Sequence, residues 1–361
     1  MKLKHNRVVD TEVSFKELQN QNKELINFLI ENDFKLPKEP PVEIHPYVKM
    51  FKLQLYDKYI IGTFPPISYL HYNDVFVKHK IDKLSNPDNS KISPPKVPFY
   101  HGNRNMMWDI LLQEDELKKI FGNQSPFEAK QSLCKYLNTN EINYADIIYS
   151  TRRTEYSHKD SCLDEVVINL DLLKHIFSNS NLNRILFNTS STFGGNNLFA
   201  TSNSKYSVAD KINTFKGNLS AFNLFFRSLQ ELNCKIEFDL NFSFDSKNKE
   251  WVPVERRNIK LLNDRLSHKI IFKVRLTLPA INNLSMKAKE SSKEFFVITP
   301  FSPAAVERGK LKKNPIVKKW LTEEGNKNLE PKDLLKKIYS AFIKFDVKGI
   351  NFLYNLNESK K

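Results

Sequence analysis

Ten residues, Phe99-Tyr100-His101-Gly102-Asn103-Arg104-Asn105-Met106-Met107-Trp108, gather aromatic rings, a histidine, an arginine and two asparagines just before an apolar-periodic run. Met107, Ile110, Leu111 and Ile120 recur at roughly helical spacing and predict a helix over 106–121. Asn103-Arg104-Asn105 then falls at the helix start, where unpaired backbone N–H groups favour an anion or a partial negative charge. Asn105 has two readings here: a cap for the helix, or an amide offered to a ligand. Two further stretches invite a ligand. Tyr59-Ile60-Ile61 reads as a buried strand running into Gly62-Thr63-Phe64-Pro65-Pro66, and Phe295–Ile298 as a strand running into Thr299-Pro300-Phe301-Ser302-Pro303. Rigid loops at the carboxyl ends of strands are where open α/β sheets bind ligands. Asn188 closes another predicted strand, 184–188, so its side chain can reach the same crevice.

The elements that must position these residues follow in chain order. Residues 1–45 read as an N-terminal helical extension, with Ser14 and Glu17 as a capping box. The main domain spans 46–325, and 326–361 form a C-terminal helical extension with Leu334, Leu335, Ile338 and Phe342 on one face. A second strand is predicted over 144–149, followed by Arg152 and Arg153; Asp146 is either a structural partner of Arg152 or a catalytic group. Asp164 is read as the cap of a helix running to about Phe177. The segments 73–98 and 189–216 are polar and read as long loops. Residues 219–232 are amphipathic. Alternating apolar residues over 236–244 and 270–278 predict a pair of antiparallel strands, so 235–290 reads as an inserted hairpin or a sheet extension.

The chain has 361 residues, a net charge of +15 and a Phe count of 27. It is globular, and its charge points to a polyanion, nucleic acid before an acidic membrane surface. Lys and Asn enrichment inherited from an AT-rich genome is the competing explanation. Three dispersed cysteines, Cys134, Cys162 and Cys234, form no CxxC, so no metal site is expected and a reducing cytoplasm fits. No signal peptide or membrane-spanning apolar run is read.

The sequence resembles the uracil-DNA glycosylase superfamily. Gly62-Thr63-Phe64-Pro65-Pro66, Phe99 to Trp108, Phe187-Asn188-Thr189 and Thr299 to Ala304 occur in that superfamily's order. They are most similar to the branch called hypoxanthine-DNA glycosylases (family 6). The resemblance covers about residues 55–325. It implies a three-layer α/β/α fold around a central four-stranded parallel sheet. It also implies a flipped-out nucleotide at the carboxyl ends of the strands, and no cofactor.

The resemblance further implies that Asn105 orients the attacking water, because the first-loop position used by many relatives is Phe64. Phe99 or Tyr100 would stack on the base, beside Phe64, and Asn188 would read its edge. Arg104, Thr299, Phe301 and Ser302 would meet DNA, with Phe301 a wedge and Ser302 a phosphate contact; Phe301 also reads as core. His101 could donate to the leaving base or serve structure. The long loops and Thr189 in place of glycine suggest a bulky or hypermodified base, such as a glucosylated cytosine of phage DNA, in antiviral defence. The alternatives are a uracil or hypoxanthine repair enzyme and a catalytically silent DNA-binding module. The expected partner is DNA, single- or double-stranded, bound by a cytoplasmic monomer.

Overall fold

The computed structural model describes residues 27, 30–31, 42–45, 47–48, 52–65, 97, 99–100, 106–154, 162–188, 203–208, 211–216, 220–245, 250–258, 270–279, 291–301 and 310–357. Strands β1 (Glu43–Ile44) and β2 (Lys58–Gly62) come first. Helices α1 (Met106–Leu111), α2 (Glu114–Lys118) and α3 (Pro126–Thr139) precede β3 (Ile142–Asp146), β4 (Ile148–Arg153) and β5 (Leu163–Ile168). Then come α4 (Leu170–Ser178), β6 (Arg184–Phe187), β7 (Asn203–Val208), β8 (Lys211–Lys216) and α5 (Ala221–Glu231). Strands β9 (Lys235–Asp245), β10 (Glu250–Asn258), β11 (Ile271–Leu278) and β12 (Ser291–Ile298) lead to α6 (Pro315–Thr322), α7 (Pro331–Lys344) and α8 (Val347–Asn357).

The fold is α/β, with a mixed seven-stranded sheet in the order β10-β9-β11-β12-β6-β2-β3. Strands β12, β6, β2 and β3 pair in parallel, and β11, β9 and β10 extend the sheet antiparallel. Every residue of β2, β3 and β6 is buried, as parallel strands covered on both faces require. Tyr59, Ile61, Ile185 and Phe187 pack with Leu172 and Ile176 of α4 and Phe222 and Phe225 of α5. Ile60, Tyr144 and Leu186 point the other way, into a core with Trp108 of α1, Leu133 of α3 and Leu335 and Ile338 of α7. Helices on both faces are compatible with a three-layer α/β/α architecture.

Numbered in chain order, the four parallel strands lie 2-1-3-4. The direction of winding therefore reverses between β2 and β6, which makes their carboxyl ends the topological switch point.

Several predicted elements differ in detail. The stretch 144–149 is not one strand. Beyond Asp146 the chain stays bonded to the first loop, Ile147 N–H to the Gly62 carbonyl (2.9 Å) and Ile148 N–H to that of Thr63 (3.2 Å). It then enters a second, five-stranded sheet, β1-β4-β5-β7-β8. Residues 163–168 form β5, paired to β4, so Asp164 caps no helix; Asn169 does, its side chain accepting from Leu172 N–H at 3.1 Å. The run 106–121 breaks after Leu111 into α1, α2 and a π turn at Lys119–Asn123. The polar segment 189–216 contains the β7–β8 hairpin, and 235–290 is a sheet extension in which β9 and β11 pair as expected. The capping box at Ser14 and Glu17 lies outside the described residues.

Candidate functional site

Three adjacent parallel strands end in a row of Asp146, Gly62 and Asn188. Gly62 pairs with Asp146 across β2 and β3, and Asn188 follows the last residue of β6. Their position two residues beyond Tyr144, Ile60 and Leu186 places them on the face that carries α1, α3 and α7. Only a glycine fits in the middle. A Cβ on Gly62 would stand 2.1 Å from Asp146 Oδ1 and 3.2 Å from Asn188 Oδ1. The carboxylate and the amide therefore lean over the end of β2 from either side. Asn188 reaches past β2 so that its Nδ2 donates to the Tyr144 hydroxyl on β3 at 2.6 Å. Its backbone N–H donates to the Ile61 carbonyl (3.1 Å).

Asp146 is paired with His45, whose Nε2 lies 2.9 Å from Oδ2. The expected pairing of Asp146 with Arg152 is corrected: Arg152 stands 2.6 Å from Glu165 instead. Among the described residues no group donates to the other carboxylate oxygen, Oδ1, which sits over Gly62. The His45 ring is enclosed by aromatic rings: Phe64 edge-on at 5.3 Å, Tyr100 at 5.5 Å and Tyr47 at 5.9 Å. Tyr100 in turn lies 4.6 Å from Tyr144. Burial, then the Asp146 charge, pushes both the Tyr100 and Tyr144 phenols well above their ordinary range, so they stay protonated donors.

A second buried pair fixes the loop after Gly62. Arg153 donates through Nε to Glu43 (2.9 Å) and through Nη2 to the Pro65 carbonyl (3.0 Å), with its guanidinium 5.7 Å from the centre of the Phe64 ring. Burial pushes the Glu43 carboxyl up from its ordinary value, and Arg153 pulls it partly back. β1 and the residue after it therefore bring one side chain to each pair: Glu43 to the loop clamp and His45 to Asp146.

The predicted site residues divide into three groups. Phe64, Tyr100, Asp146 and Asn188 are brought together around His45 and Gly62. Phe99, Thr299 and Phe301 are core residues, each at most 1% exposed. Phe99 packs against Trp108 and Tyr100, and Phe301 shares that core, so neither presents a ring to a base or a duplex. The Thr299 N–H donates to the Ile270 carbonyl (2.8 Å). All three side chains are buried, and for Phe301 this is the core alternative that the sequence offered. Asn105, His101, Arg104 and Ser302 lie outside the described residues. Sequence reasoning missed His45, Glu43 and Tyr144, and missed Arg153 as the clamp. Only the alternation of Tyr144 with Asp146 along one strand could have signalled any of them.

An imidazole donor, a carboxylate with one oxygen that accepts from no described residue and an amide, set in apolar and phenolic surroundings, can orient and deprotonate water and pair with a polar ligand edge. The described residues contain no cluster of three or more His, Cys, Asp or Glu able to hold a metal ion. They also contain no helix long and apolar enough to cross a membrane. Comparison of the chain with protein-family models, curated proteins and solved structures finds no match.

Proposed function

We propose that this protein is a monofunctional DNA glycosylase with the uracil-DNA glycosylase fold, acting as a cytoplasmic monomer without a cofactor. The observation that carries this reading is the row Asp146–Gly62–Asn188 at the topological switch point, with a carboxylate and an amide converging over a glycine. The charge of +15 supports a polyanionic substrate. A base inside a duplex has to be flipped out to reach such a crevice.

Water attacks the anomeric carbon as the sugar gains oxocarbenium character. The Asp146 carboxylate stabilises that cation and takes a proton from the water through Oδ1 as the new C–O bond forms. The base departs with the electrons of the glycosidic bond, and the Asn188 amide pairs with its edge. The resemblance assigns the water to Asn105, whose amide can orient it but not accept its proton. In the proposed mechanism that acceptor is Asp146. The preferred base is a bulky modified one, such as glucosylated hydroxymethylcytosine, with uracil and hypoxanthine as the alternatives.

The test is to incubate the protein with oligonucleotides carrying each of these bases, single- and double-stranded, and to count abasic sites by alkaline cleavage. Wild-type protein should release one of them. Asp146→Asn should slow release ~10²–10⁴-fold, the range of a lost general base. Release from none of the substrates, with DNA binding intact, would leave the silent DNA-binding module as the reading. Abasic sites from uracil or hypoxanthine alone would remove the modified-base substrate.

A further inference from the structure

We infer that His45, which follows the edge strand β1, is the positioning residue of Asp146. The inference rests on the glycosylase reading and names a residue that neither the motifs nor the resemblance points to.

The neighbours of the His45 ring place its proton. The backbone N–H of Tyr47 donates to His45 Nδ1 at 3.0 Å, so Nδ1 carries its lone pair. The single proton of the neutral imidazole is then on Nε2, which faces Asp146 Oδ2 at 2.9 Å. An imidazolium would turn an Nδ1–H against the Tyr47 N–H, two donors facing each other, so the ring serves as a neutral donor. The ring cannot turn away. Its side chain is fully buried, and Phe64, Tyr47 and Tyr100 surround it.

The consequence falls on the carboxylate. With Oδ2 held by His45, Oδ1 is fixed over Gly62, at the carboxyl end of β2. A neutral donor orients the group without cancelling its charge, and that charge is what a cationic sugar requires. A pair that merely tied β1 to β3 would not need a neutral tautomer, or one carboxylate oxygen left over a glycine. The pair spans 101 residues of sequence, so only the fold brings it together.

The experiment uses the full chain and the base it releases. Wild type, His45→Phe, His45→Gln, Asp146→Asn and the double variant His45→Phe/Asp146→Asn are compared for kcat and KM. His45→Phe keeps a ring of similar shape and removes the donor. It should lower kcat about 10²-fold, the order expected for a misplaced catalytic group, with KM little changed. His45→Gln returns an N–H near the Nε2 position and should recover much of that loss. The double variant should be no slower than Asp146→Asn alone, because residues acting as a unit are not additive.

Nitrogen-15 spectra of the wild-type imidazole provide a readout independent of turnover: Nε2 should carry the proton and Nδ1 should not. Wild-type kcat in His45→Phe, losses that multiply in the double variant, or a proton on Nδ1 would each overturn the proposal while leaving the glycosylase reading in place. A wild-type protein that releases no base would overturn both. In that case the spectra would still report whether the pair exists. If His45→Phe fails to fold, His45→Gln and the wild-type spectra carry the test.

Discussion

Gly62 decides how closely the carboxylate of β3 and the amide of β6 can approach. Gly62→Ala would put a methyl group where Asp146 Oδ1 now lies, 2.1 Å from the new Cβ. The clash is with a side chain, but His45 holds that side chain by its other oxygen, so relief requires breaking the His45–Asp146 bond. The variant should lose about 1–3 kcal/mol, the usual cost of overpacking, in urea unfolding, and base release with it. Stability and activity within error of wild type would show that the row is not closely packed. Gly62 and Asn188 were legible in the sequence because each terminates a short apolar strand, and strand ends are where such sheets act. His45 was not, because its partner is remote in sequence and a tertiary pair leaves no periodic trace. For Phe99 and Phe301 the sequence left two readings open for a related reason: a ring that stacks on a base and a ring that fills a core are the same residue type, and only packing, which buries both, tells them apart.

The elements legible in the sequence are those whose burial follows a period. β9 and β11 alternate, β2 and β6 are continuous apolar runs, and α5 carries its phenylalanines at helical spacing. What stayed hidden was decided by pairing. β5 reads like a helix start until β4 lies beside it, and the break at Ile147 depends on the carbonyls of Gly62 and Thr63. Two cations at the opposite, amino-terminal ends of the parallel strands were likewise invisible. Arg184, at the start of β6, donates to the Phe342 (2.6 Å) and Ile343 (3.0 Å) carbonyls at the C-terminus of α7. Lys293, near the start of β12, donates to the carbonyls of Ile176 (2.8 Å), Phe177 (3.0 Å) and Asn179 at the C-terminus of α4. Each satisfies helix-end carbonyls and sits at the negative end of a helix dipole. Burial brings the Lys293 ammonium down from 10.5 to about 8. Between those values the unfolded chain binds the extra proton and the folded chain does not, so stability rises with pH through that window. Urea titrations at pH 7.5 and 9.5 should show this rise in wild type and a smaller one in Lys293→Met. Equal slopes in the two proteins would mean that Lys293 keeps its ordinary affinity for the proton.

At the scale of the molecule, the excess of 56 Lys and Arg over 41 Asp and Glu is not spread evenly between inside and outside. Arg153 and Arg184 are buried with their own carboxylates, Glu43 and Asp57, and have little charge to offer a partner. Exposed lysines such as Lys318, Lys319, Lys336, Lys337, Lys344 and Lys348 on α6, α7 and α8 remain available. Charge of this kind gives affinity without sequence preference, because it meets phosphates and not bases. In the proposed function the row of Asp146, Gly62 and Asn188 supplies selectivity for a base, but it is too small to supply the binding. Affinity and catalysis should therefore separate. Log affinity for DNA should fall linearly with log salt, by about 0.9 per phosphate neutralised on a duplex. Asp146→Asn should slow base release ~10²–10⁴-fold and leave that slope unchanged, since it touches no phosphate. Replacing Lys336 and Lys337 together by Gln should make the slope shallower and weaken every DNA alike. Fluorescence anisotropy over 50–200 mM salt measures both. A slope near zero in wild type would mean that the basic composition reflects genome bias and not a nucleic-acid surface, and the glycosylase reading would lose its substrate. A slope altered by Asp146→Asn would mean that the carboxylate lies against the backbone and not under the sugar, which would displace it from the role proposed for it.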